Sequence, residues 1–165
     1  MQIFTSVLKT WLFVIFFVSI SCPLFASMCQ NNIISVKGNH GIVDFQVEIA
    51  ETPFDRKHGL MGRKKLGMQS GMLFLYKKPH KVSFWMKNTI IPLDIIFLAN
   101  SGQITHIEHN AQPFTLKSIS GGIDTIAVLE INGQSAIRKG IKIGDVVRHP
   151  FFSRFDNKWP CKVKD

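Results

Sequence analysis

The chain has 165 residues, 45% of them apolar and 19% charged, with 20 Lys and Arg against 11 Asp and Glu. That composition excludes a disordered polyelectrolyte and fits one domain with a substantial core plus a removable end. The net charge of +9 suits weak association with anionic surfaces, and nucleic acid ranks last among partners because the chain opens with an export pattern.

Lys9 is followed by an apolar run at residues 11–18, a turn at Cys22-Pro23, and then Leu24-Phe25-Ala26-Ser27. This is the n-, h- and c-region order of a secretory signal, and the run falls short of the ~20 residues that span a bilayer. Cleavage is expected after Ala26, giving an exported protein, periplasmic or secreted. In the alternative, Ser19-Ile20-Ser21-Cys22 acts as a lipoprotein box and Cys22 anchors the chain, although Ser19 stands where Leu is usual; an uncleaved anchor is a third reading. The expected organisation is a signal at 1–26, a lead-in at 27–40, a single β domain at 41–149 and a loosely packed tail at 150–165. Once the signal is removed, Cys29 and Cys161 remain near the two ends, as a disulfide staple or as two unpaired thiols in the tails. No cysteine spacing fits a zinc site.

Folding is expected to begin near Ile33. Residues 43–49 alternate strictly between Val43, Phe45, Val47, Ile49 and the polar Asp44, Gln46, Glu48, which predicts a strand with one wet face. Thr52-Pro53-Phe54-Asp55 supplies a capping hydroxyl, a proline at the first helical position and an acid in the first turn, predicting a short helix over 53–61 that stops at Gly62. Residues 71–76 are continuously apolar, as in a strand buried on both faces. Further strands are expected over 82–86, 90–98, 103–108, 125–131 and 146–148, with a loop over 110–122 and a second helix over 134–139 stopped by Gly140. Strands dominate without a βαβ rhythm. The expected fold is therefore mainly β, a compact antiparallel barrel or sandwich with two short helices.

Several blocks, in order, resemble the domain of unknown function 192 family. They are Val47-Glu48-Ile49-Ala50, Asp55-Arg56, Gly59-Leu60-Met61, Gly71-Met72-Leu73-Phe74, Phe84-Trp85-Met86-Lys87-Asn88-Thr89, Ile91-Pro92-Leu93-Asp94-Ile95, Val128-Leu129-Glu130, Gly140-Ile141 and Gly144-Asp145. The resemblance covers residues 42–147. Asp55 stands where the family usually has Glu, and Asn132-Gly133 where Asn-Ala-Gly is common. The resemblance implies a small, mainly β and often exported domain, and brings no established reaction or ligand.

The candidate ligand-binding set is Lys87, Asn88, Thr89, Asp94 and Glu130 from these blocks, together with Arg63, which flanks the first helix. An isolated carboxylate among apolar neighbours, such as Asp94 between Leu93 and Ile95, requires a dedicated partner. In one reading the six line a pocket for an anionic or polyhydroxyl ligand, with Lys87 supplying charge and balancing Asp94. In the plainer one, residues 87–89 form a turn and Asp94 caps nearby amides. Asp94 and Glu130 as an acid/base pair would make a hydrolase of an envelope polymer, whereas carboxylates at such positions more often pair with arginines, here Arg56 or Arg63. Met61, Met72 and Met86 would hold Cu(I) if they converged, against ordinary core packing. His106 and His109 lie an odd number of residues apart, on opposite faces of a strand, which argues against joint ligation. The expected protein is a binding or interaction module rather than an enzyme, without cofactor or metal, whose partner is an unidentified small molecule or envelope component. Mass spectrometry of the mature N-terminus should find Ser27 first; an N-terminal diacylglyceryl-Cys22 would overturn that cleavage site.

Overall fold

The computed structural model describes residues 29–161; the signal, the Cys22 box and the Ala26 cleavage site lie outside them. In chain order the elements are β1 (Ile33–Gly38), β2 (Gly41–Ala50), α1 (Pro53–His58), β3 (Ser70–His80), β4 (Ser83–Phe84), β5 (Leu93–Leu98), β6 (Ile104–Ala111), β7 (Ile119–Ser120), β8 (Thr125–Asn132), α2 (Ser135–Lys139), β9 (Val146–Arg148) and a 3-10 helix over Pro150–Arg154. The protein is mainly β: seven strands form one curled sheet in the order β6-β5-β8-β3-β2-β1-β9, while β4 and β7 form a separate ribbon.

The continuously apolar segments occupy the middle of the sheet. β5, β8 and β3 bury both faces because an apolar core lies on each side. One core gathers Ile34, Phe45, Leu73, Ile96, Leu129 and Phe152. The other gathers Leu60, Met72, Phe74, Met86, Ile95 and Phe97. At Gly71 an added Cβ would come within 2.6 Å of the Glu130 carbonyl oxygen, so the close β3–β8 approach requires a residue without a side chain.

Several expectations are corrected. The sheet is not wholly antiparallel: β2 and β3 are parallel, joined by a crossover that carries α1. The helix begins as predicted, with Thr52 accepting from the Asp55 amide, but stops at His58 because Gly59 turns to φ 51° and donates back to Asp55. Pro92 lacks an amide proton, and β5 starts after it. Part of the expected lead-in is strand β1, hydrogen-bonded between β2 and β9. The tail is not loose either. Phe152 is fully buried, and His149 anchors the 3-10 helix by accepting from the Phe151 amide while its other ring nitrogen sits 2.8 Å from the Asn31 carbonyl.

The outer strands of the sheet meet at one corner. Gln103 bridges to Val146, the Ile104 amide donates to the Asp145 carbonyl at 2.8 Å, and the Val147 amide donates to the Gly102 carbonyl at 2.7 Å. The sheet therefore curls into a half-barrel, and at that corner backbone groups that would otherwise be free are paired. Cys29 and Cys161 are joined, closing a span of 132 residues. In the chain-entropy picture a loop of that size contributes about 5 kcal/mol by restricting the unfolded chain.

Asp94 completes the frame. Leu93 pairs with Ala111 and Ile95 with Glu108, so two residues of β6, His109 and Asn110, stand opposite Asp94 alone. Such a bulge leaves amides unpaired. The fully buried carboxylate accepts from the amides of Asn110 at 2.7 Å, Gln134 at 2.9 Å and Ala136 at 2.7 Å. The last two open α2, whose N-cap residue, Gln134, provides no side-chain cap. Asp94→Asn turns an NH2 toward one of these donors whichever way the amide is placed. It should lower unfolding free energy by about 3 kcal/mol in urea titrations; a loss below about 1 kcal/mol would contradict the clamp.

Candidate functional site

Glu130 sits near the end of β8, facing Met72 of β3 and Ile95 of β5 across the ladder. Its side chain therefore shares the face of the second core, and the residue is only 5% exposed. It belongs to neither ion pair found among the described residues. Burial is the one cause acting on its carboxyl, pushing it from 4.5 up to about 8. At neutral pH the group is largely an uncharged acid, able both to donate and to accept a hydrogen bond.

Above Glu130 the core opens. Phe74 and Tyr76 of β3, Leu60 and Met61 after α1, and Phe84 and Thr89 surround a cleft of about 200 Å³. A second hollow of about 310 Å³ adjoins it, sharing Lys57, His58, Met61 and Trp85 and adding Phe54, Lys87 and Asn88. Two aromatic rings stand in the open there: Phe54 is 77% exposed and Trp85 51%. Phe54 stacks on His58 with centroids 6.4 Å apart, and the Lys87 ammonium lies 5.6 Å from the Trp85 ring centre.

The rim is cationic. Arg56 is already engaged, donating to the Leu75 carbonyl at 3.0 Å and to the Glu51 carbonyl, with its guanidinium 4.9 Å from the Tyr76 ring centre. Burial pushes the Tyr76 phenol up to about 12; Arg56 opposes that shift and Glu130 adds to it. Lys57 and Lys87 are exposed. Glu130 is the one carboxylic acid lining either hollow.

Of the six residues expected to gather, Thr89 and Glu130 line the inner cleft and Lys87 and Asn88 the outer one. Lys87 and Asn88 occupy the centre of a turn closed by the Thr89 amide on the Met86 carbonyl at 3.1 Å, with Asn88 at φ 57°. Asp94 does not join them. It pairs across the ladder with Ile131 whereas Glu130 pairs with Ile95, so the two carboxyls project from opposite faces of the sheet and cannot act as an acid/base pair. Asp94 makes no ion pair with Lys87; backbone amides take its place. Arg63 is held in a two-pronged pair with Glu48, which keeps the Glu48 carboxyl below its usual range through hydrogen bonding and charge. Met72 and Met86 are buried in the second core, while Met61 faces the clefts. Phe54, Lys57 and His58 escaped sequence reasoning. The signal for them in the sequence was Phe54 followed directly by the polar run Asp55-Arg56-Lys57-His58.

The sequence matches the family described as "Uncharacterized ACR", domain of unknown function 192, over residues 34–149. A protein of unknown function from Novosphingobium aromaticivorans DSM 12444 is 43% identical, with a TM-score of 0.69, covering 70% of this chain and 82% of its own. A Sinorhizobium meliloti 1021 protein described as "a putative transcription regulator" is 34% identical, with a TM-score of 0.69, covering 73% of this chain and 94% of its own. No curated protein matches the chain.

The proton on Glu130 links stability to pH. The folded chain holds that proton up to about 8, whereas the unfolded chain releases it near 4.5. Between those values the folded state binds more protons, so this contribution is complete below pH 4.5 and is lost as pH rises through 8. Urea titrations should show wild-type stability falling across pH 5 to 8.5 by several kcal/mol more than that of Glu130→Gln, whose amide does not ionise; parallel curves would place Glu130 in a wetter setting than the cleft floor.

Proposed function

The chain belongs to the domain of unknown function 192 family, and we propose that it is an exported binding module whose ligand seat is the pair of adjoining clefts above Glu130. The observation carrying this reading is Glu130 itself: a buried acid without an ionic partner, at the floor of an opening to solvent. A polar group in apolar surroundings costs free energy unless something satisfies it, and an apolar residue would fill the position at lower cost. A ligand that reaches the floor supplies a hydrogen-bond partner there. Thr89 stands beside it, and Lys87 and Asn88 contribute a cation and an amide at the mouth.

The ligand is a small polar or anionic molecule. Cations crowd the rim, the one acid lining the cleft is largely neutral at pH 7, and hollows of 200 and 310 Å³ are at or below the small end of the range for ligand sites. Hydrolysis through two carboxyls finds no second acid here, because Asp94 lies on the other face. Export rests on the N-terminal pattern and is supported by the Cys29–Cys161 bond, of a kind that persists in oxidising compartments. Nucleic acid has no part in this reading: two exposed rings and two exposed lysines make a pocket, not an extended basic track.

Nitrogen-15 labelled protein titrated with the low-mass fraction of a cell-envelope hydrolysate should show saturable shifts confined to the Trp85 indole and to amides of 54–61 and 83–89. Glu130→Gln, with an unchanged circular dichroism spectrum, should weaken that binding about tenfold. Shifts located elsewhere, or none in any fraction, would overturn the assignment.

A further inference from the structure

We propose that the outer cleft takes a carboxylated sugar ring, stacked on Trp85 between the α1 wall and the turn at 87–88, with its carboxylate toward Lys57 and Lys87. This rests on the cleft reading above and names its ligand class.

The first ground is the pair of rings. Phe54 and Trp85, at 77% and 51% exposure, present far more apolar surface to water than a core role explains, and both line one hollow. Phe54 has one face against His58. Flat, exposed aromatic faces beside polar groups match a ligand that is apolar on one side and hydroxylated on its edge. Around the rings stand the hydroxyl partners such a ring needs: the Asn88 amide and His58 at the mouth, Ser83 and Thr89 further in.

The second ground is the kind of cation. Phosphate is best held by an arginine fork or by converging backbone amides. Arg56 is committed to two carbonyls and to Tyr76, and Arg63 to Glu48. What remains over the cleft is lysine, a mobile point charge suited to a single carboxylate. An aromatic acid would also stack, but it would leave the buried Glu130 acid of the inner cleft unmatched. Buried or half-buried polar groups left without partners disfavour a ligand strongly. The outer hollow of about 310 Å³ has room for one ring, with the inner cleft beyond it.

The test uses protein comprising residues 27–165 labelled with 5-fluorotryptophan. It carries two reporters, Trp85 in the cleft and Trp159 away from it, the latter held under Lys37 and Arg148; Trp159→Phe assigns the signals. Galacturonate oligomers should shift the Trp85 resonance saturably and leave Trp159 still, while neutral malto-oligosaccharides bind at least tenfold more weakly. Lys57→Gln with Lys87→Gln should bring the uronate down to the neutral sugar without changing the latter. If benzoate or inorganic phosphate binds at Trp85 as tightly as the uronate, the seat stands and the sugar assignment falls. If no probe moves Trp85 and the envelope fraction is also silent, both fall together.

Discussion

The fold turns on one carboxylate. Asp94 joins three parts of the chain that are remote in sequence: its own strand β5, the bulge of β6 at Asn110, and the start of α2 at Gln134 and Ala136. Those three amides lack other partners for two separate reasons. The bulge breaks the ladder, and α2 follows a left-handed Gln134 that provides no cap of its own. One acceptor resolves both. Charged acceptors of backbone amides are among the stronger hydrogen bonds in proteins, and within a dry core they fix geometry as well as energy.

Against that fixed point the second buried acid stands out. Asp94 and Glu130 lie on adjacent strands, one register step apart, yet they have opposite fates. Asp94 faces the core closed by α2 and is saturated; Glu130 faces the core that opens between α1 and the β4–β7 ribbon, where burial raises its affinity for a proton. The period of two along a strand separates them completely. A rigid sheet thus carries one acid that holds the architecture and another that lines a cleft.

Much of the scaffold was readable before any coordinates. The alternation of 43–49, the Thr52-Pro53 helix start and the apolar run of 71–76 each express a local rule, and each appears where expected. What escaped was non-local. The parallel pairing of β2 with β3 depends on a crossover that leaves no periodic trace, and the bulge facing Asp94 shows only in the register between two strands. Lys87, Asn88, Thr89 and Glu130 are hydrophilic residues within apolar blocks, and they do reach adjoining hollows. Asp94 satisfied the same pattern for a structural reason: a polar residue in greasy surroundings is equally the mark of an acceptor for backbone amides or of a binding floor, and only spatial neighbours separate these. Phe54 went unnoticed because an aromatic on an amphipathic turn is ordinarily core, and here nothing covers it.

The bond between Cys29 and Cys161 closes the described chain into a covalent ring. A peptidase that cut any loop within that ring would generate a new pair of ends without releasing a fragment, since both pieces stay tethered through sulfur. The severed strands would remain in one another's vicinity and could pair again. After a single cut, the molecule comes apart covalently only once the sulfur bridge is reduced as well.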